Sequence, residues 1–161
     1  MKAPEALLQE ALAIAERMHA HLARSHHQVQ PHIPLQAEQV PQLDDDTIDR
    51  LDLYLSRFGK LKDYMVGKLF RALARASLED TSQDVSLLDT LNRMEKFGVV
   101  DELECWLKAR MLRNAFAHEY LTDNAAIADN INDACDLYEL LNRSLANCHA
   151  FYREHIERVS G

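Results

Sequence analysis

Apolar residues recur at steps of three and four along most of the chain, the period of helices that bury one face. Leu7, Ala11, Ile14, Met18 and Leu22 form one stripe and predict a first helix over about 4–27. Leu51, Leu55, Phe58, Leu61, Met65 and Leu69 form a second, in a helix that opens near Asp46 and reaches about Ser77. The cleanest seam is Ile127, Ile131, Ala134, Tyr138, Leu141, Leu145, Cys148 and Tyr152, in a last helix over about 124–158. Ser86 followed by Asp89 reads as a capping box that opens a third helix, which Gly98 stops after Phe97. Asp101 and Glu104 repeat the capping pattern and open a fourth helix. No sustained alternation of apolar and polar residues predicts a strand.

The punctuation agrees with this division. Pro4, Pro31, Pro34 and Pro41 all precede residue 42, so no later residue lacks a backbone N–H. The proline-rich stretch over 29–43 is expected to be a mobile loop. Gly59 and Gly67 lie inside the second helix, where each costs up to ~1 kcal/mol against alanine. Close approach of a neighbouring helix would account for them. The expected fold is all-α: an antiparallel helical bundle of four long helices plus one short helix, in a single domain over 1–161. Its N-terminal helix falls within 1–28.

Composition narrows the function classes. A net charge of −8 argues against a broad basic surface, so any nucleic-acid contact must be local and carried by a few arginines. No apolar run approaches the ~18 residues of a membrane span, and the acid-bearing amphipathic N-terminus does not resemble a targeting peptide. Three cysteines without C-x-x-C spacing read as reduced, buried thiols in a cytoplasmic protein. His19, His21, His26, His27 and His32 crowd one segment, but their spacing follows no zinc pattern, and solvated histidines are expected. The acidic run at 44–46 suits a helix N-terminus. Trp106 and Phe116 read as core or interface residues rather than base-stacking platforms. No metal and no cofactor are expected.

Candidate chemistry gathers in "LRNAFAHEYL", Leu112–Leu121. Arg113 and His118 form an R-x4-H pair, Asn114 follows the arginine, and Tyr120 follows the histidine by two. Chance supplies roughly 0.6 such Arg–His pairs in a chain of this composition, so the pair decides nothing without its neighbours. On a continuous helix Arg110, Asn114 and His118 share one face, while Arg113 and His118 stand about 140° apart. The long arginine can curl round, but a bent helix or a second subunit that completes the site is the preferred reading.

The stretch "RNAFAHEY" resembles the R-x4-H-x-Y signature of HepT-type toxins of the HEPN superfamily. The preceding "LLDTLNRMEKFGVVDELECWLKARML" and "RFGKLKDYMVGKLF" are similar to the same group, so the likeness spans about residues 45–121. The resemblance implies a compact helical homodimer with the motif near its interface, acting as a metal-independent endoribonuclease. Arg113 and His118 would be the catalytic pair, Asn114 the polar orienting residue, and Tyr120 the acceptor of an AMP group. The partner it implies is a minimal nucleotidyltransferase antitoxin, as in a type VII-like toxin–antitoxin pair. The expected substrate is RNA; neither DNA nor a membrane is expected as a partner.

The residue types suit that chemistry. Histidine exchanges protons near neutral pH, and arginine's planar fork binds phosphate oxygens without losing its charge. Two other readings stay open. One is a non-catalytic helical partner or substrate-binding subunit of a nucleotidyltransferase. The other is a nucleotide-binding regulatory domain.

Overall fold

A computed structural model describes residues 3–112 and 123–157. Among these residues the chain is helical and contains no strand. The helices are α1 (Pro4–Val29), α2 (Asp45–Tyr64), α3 (Phe70–Ala76), α4 (Leu87–Lys96), α5 (Leu103–Arg110), α6 (Asn124–Asp136) and α7 (Tyr138–Phe151). A π turn, Met65–Leu69, joins α2 to α3, and a second, Tyr152–Glu157, continues α7.

The second seam behaves as expected: Leu51, Leu55, Phe58, Leu61, Met65 and Leu69 are all buried. Its helix starts two residues early, because Asp44 rather than Asp46 is the cap and accepts a hydrogen bond from the Thr47 N–H at 2.8 Å. The predicted single rod contains the π turn, whose extra backbone residue widens the helix around Gly67. A Cβ added at Gly59 or Gly67 meets no atom within 4 Å among the described residues, so close helix packing does not explain them.

Helix α1 runs antiparallel to the α2–α3 rod and to α7. Near its C-terminal half, Arg57 of α2 donates to the Ser25 hydroxyl at 2.7 Å and to the His21 carbonyl at 3.1 Å. Near its start, the Tyr152 hydroxyl at the far end of α7 donates to Glu5 and accepts from Gln9. The buried face of α1 is Leu8, Ala11, Leu12, Ala15, Leu22, Ser25 and Val29, rotated from the expected stripe. Leu7 is left 40% exposed.

The stretch after α1 is not a free loop. Val29, Leu35 and Val40 are buried, and the Asn132 amide of α6 both accepts from the Leu35 N–H (2.8 Å) and donates to its carbonyl (2.9 Å). Two short 3-10 turns, Gln30–His32 and Ala37–Gln42, fill it.

The caps of α4 match the sequence. Ser86 Oγ accepts from the Asp89 N–H, and Asp89 accepts in return from the Ser86 N–H. At the other end Gly98 takes φ +76°, with Gly98 N–H on Glu95 O and Val99 N–H on Met94 O. This is the two-bond left-handed terminus of a Schellman motif, with Met94 and Val99 buried against it. The second capping box is absent. Asp101 pairs with Arg143 Nε at 3.0 Å, and Glu102 precedes α5 without a side-chain cap.

The last predicted helix divides at Leu137, whose ψ of 0° separates α6 from α7. The apolar seam crosses the break, so Ile131, Ala134, Tyr138, Leu141, Leu145 and Cys148 remain buried in one core with α1 and α2.

Candidate functional site

Arg113, Asn114, His118 and Tyr120 lie outside the described residues, as does Phe116. The chain is described up to Leu112 on one side and from Asp123 on the other. Helix α5 ends at Arg110, and the Met111 and Leu112 N–H groups close onto Lys108 O (2.9 Å) and Ala109 O (3.2 Å). The expected sharing of one helical face by Arg110, Asn114 and His118 falls on residues outside the described ones. On the far side, Asp123 caps α6 by accepting from the Ala125 N–H at 2.8 Å.

What leads to the motif is well defined. Trp106 is buried, as expected of a core residue, and meets the Phe70 ring edge-on at 5.3 Å. Lys62 of α2 donates to the Ala109 carbonyl at 3.3 Å and so ties the last turn of α5 to the long rod. An open groove of about 650 Å³ lies where they meet, walled by Phe58, Lys60, Lys62, Arg110, Met111 and Leu112. Gly59 leaves part of that wall without a side chain. A smaller one, about 270 Å³, lies between Gly67, Trp106 and Arg110. Lys60, Lys62 and Arg110 thus stand on the groove that borders residues 110–112, immediately before Arg113 in the chain.

Lys60 and Lys62 are not among the residues the motif points to, although the sequence carries a signal for them. Over residues 57–75 the chain carries Arg57, Lys60, Lys62, Lys68, Arg71 and Arg75 against Asp63 as the sole acid, within a chain of net charge −8.

The histidine segment also differs from expectation. His26 and His27 lie in α1, as the predicted helix over 4–27 has them, but two of the five histidines are packed rather than solvated. His26 stacks on Tyr138 at 3.7 Å with rings 12° apart, and leans on Tyr54 at 5.8 Å. His19 hydrogen-bonds Asn142 and stacks more loosely on Tyr138. Burial holds the His26 imidazole below its ordinary pKa, Glu139 opposing and His27 adding to the effect. Tyr54 donates its hydroxyl to the Ala134 carbonyl at 2.9 Å, and burial pushes its pKa far up. Among the described residues no three His, Cys, Asp or Glu side chains converge as metal ligands.

Cys135 and Cys148 are buried as expected, while Cys105 is half-exposed. Burial pushes the Cys135 thiol up to about 12 and Cys148 higher still, so neither is a thiolate near neutral pH. Among the described residues no helix is long and apolar enough to cross a membrane. In comparisons with known proteins, the chain matches no family model, no curated protein and no solved structure.

Proposed function

We propose that the protein is a HepT-like endoribonuclease toxin that cuts RNA without a metal, uses Arg113 and His118 from two subunits of a homodimer, and is silenced by AMP transfer to Tyr120. The observation that carries this reading is the R-x4-H-x-Y stretch joined to its similar upstream run over about residues 45–112. The all-helical architecture and the lysine- and arginine-bearing groove beside residues 110–112 are compatible with it.

The chemistry balances with the chain's own groups. The RNA 2′-OH attacks the adjacent phosphorus as one imidazole takes its proton. The bond to the 5′-oxygen breaks, a 2′,3′-cyclic phosphate forms, and the leaving oxygen is protonated by the second imidazole. General acid–base assistance of this kind is worth ~10²–10⁴ in rate. Arg113 offsets the charge that gathers on the phosphorane oxygens. Asn114 orients the reacting groups. In silencing, the Tyr120 phenolic oxygen attacks the α-phosphorus of ATP and pyrophosphate leaves. The AMP group then adds charge and bulk where a substrate phosphate would sit.

The test is incubation of the purified protein with bulk RNA in EDTA, beside Arg113→Ala and His118→Ala. Cleavage that falls at least a hundredfold in both variants supports the enzyme. Equal cleavage by all three proteins, or none by any, overturns it. The net charge of −8 favours one other reading, a non-catalytic partner or substrate-binding subunit of a minimal nucleotidyltransferase. That reading predicts no cleavage and a stable complex on co-expression.

A further inference from the structure

The cations of the α2–α3 rod have a second setting, away from residues 110–112. Tyr64, Lys68, Arg71 and Arg75 follow one another at steps of four, three and four, which places them along one side of the rod over roughly 16 Å. Tyr64, Lys68, Arg71 and Arg75 line a groove of about 390 Å³ between the rod and the start of α1. The opposite wall is apolar except for Glu10: Leu7 and Ile14, residues of the expected α1 stripe that turn away from the core, make much of it. Gly67 in the π turn leaves the groove open: it lines it, is exposed, and a Cβ there meets nothing within 4 Å among the described residues. π turns recur at functional sites.

Among the described residues part of this wall's charge has no carboxylate partner. Lys68 and Arg75 have none, while Arg71 donates to the Asp84 carbonyl at 3.1 Å and its charge also acts on the Asp84 carboxylate. Among the described residues Glu10 is the one acid lining the groove, and it faces Tyr64, whose pKa burial and Glu10 together raise.

A concave site with three cations on one wall, an aromatic ring and an opposite wall apolar but for Glu10 suits a flexible chain of phosphates that carries flat rings. We propose that this groove binds single-stranded RNA, with a base seated between Leu7, Ile14 and Tyr64 and successive phosphates on Lys68, Arg71 and Arg75. The site deepens the ribonuclease reading and rests on it for its ligand. It is built entirely of residues outside the R-x4-H-x-Y stretch. An anionic membrane fits less well, because the cations line a narrow trough and the chain as a whole carries −8.

The experiment uses full-length His118→Ala protein, so that the RNA survives, and a fluorescein-labelled ten-nucleotide oligouridylate read by anisotropy from 50 to 200 mM salt. Combining Lys68→Gln, Arg71→Gln and Arg75→Gln weakens binding on the order of tenfold or more and lowers the slope of log affinity against log salt by about 2. Gly67→Leu fills the groove, weakens binding and leaves that slope unchanged. Circular dichroism melts of both variants establish that they fold. Unchanged affinity and slope in the triple variant overturn the proposal, as does tighter binding to phosphatidylserine vesicles than to the oligonucleotide. If the wild type cuts RNA and the triple variant binds and cuts equally well, the groove fails and the ribonuclease reading stands. If RNA binds through the groove but the wild type cuts none, the ribonuclease reading fails and the groove stands.

Discussion

Arg93 holds Asp84 with two parallel hydrogen bonds, Nε to Oδ2 at 2.8 Å and Nη2 to Oδ1 at 3.0 Å. The same guanidinium reaches Glu79 at 3.0 Å and the Asp80 carbonyl at 2.7 Å, so one side chain of α4 fixes the connection that leaves α3. Asp84 is only 7% exposed and Arg93 19%. Arg93→Ala would leave the Asp84 carboxylate shielded from water without its partner. The expected cost is about 2–3 kcal/mol, read as a lower urea midpoint at pH 7.

The same pair predicts an acid limb. The Arg93 hydrogen bond holds the Asp84 carboxyl below the usual carboxylate range. The folded state therefore prefers the ionised form more than the unfolded chain does. Its contribution is complete above the unfolded value of about 3.9 and is lost as pH falls through the lower folded value. Urea midpoints from pH 5 to 2 should fall less steeply in Asp84→Asn than in the wild type.

Two helix ends offer a matched test of backbone strain. Gly98 ends α4 at φ +76°, and Leu78 ends α3 at φ +67° with the same bonds: its own N–H on Arg75 O and the Glu79 N–H on Ala74 O. Left-handed backbone costs a residue with a Cβ roughly 1–2 kcal/mol. A Cβ at Gly98 meets nothing within 4 Å among the described residues, so Gly98→Ala should lose about that amount from backbone conformation alone. Leu78 is 91% exposed and gives up little packing, so Leu78→Gly should gain about 1 kcal/mol. Opposite shifts in melting temperature are the expected result.

His26 supplies a second pH dependence. Its folded pKa is lowered, so the unfolded chain takes up the proton first as pH falls. The stability it contributes is present above about pH 6.5 and is lost as pH falls through the folded value. Between pH 7.5 and 5 the wild type should lose more stability than His26→Phe, which keeps a ring against Tyr138 but cannot take up a proton.

What could be read from the sequence was local or periodic. The seam from Leu51 to Leu69, the Ser86–Asp89 box and the Gly98 stop each rest on a few neighbouring residues, and the structure reproduces them. The features that escaped depend on distant partners or on backbone changes that leave the pattern intact. Asp101 looked like a cap until Arg143, far along the chain, drew it away. The stretch over 29–43 looked free because the prolines were visible and Asn132 was not. The π turn hid in the seam, since Leu61, Met65 and Leu69 recur at steps of four whether the helix widens or not. The break at Leu137 hid likewise, because the apolar spacing runs straight through it. The motif was legible as chemistry alone, and Arg113 through Tyr120 lie outside the described residues.

The most direct measurement uses a DNA oligonucleotide carrying one ribonucleotide, incubated in EDTA with wild type, His118→Ala and Arg113→Ala. The account predicts a single cut by the wild type, on the 3′ side of the ribonucleotide, leaving a 2′,3′-cyclic phosphate and nearly absent in both variants. Cutting at deoxyribonucleotide positions, or equal cutting by His118→Ala, would contradict it.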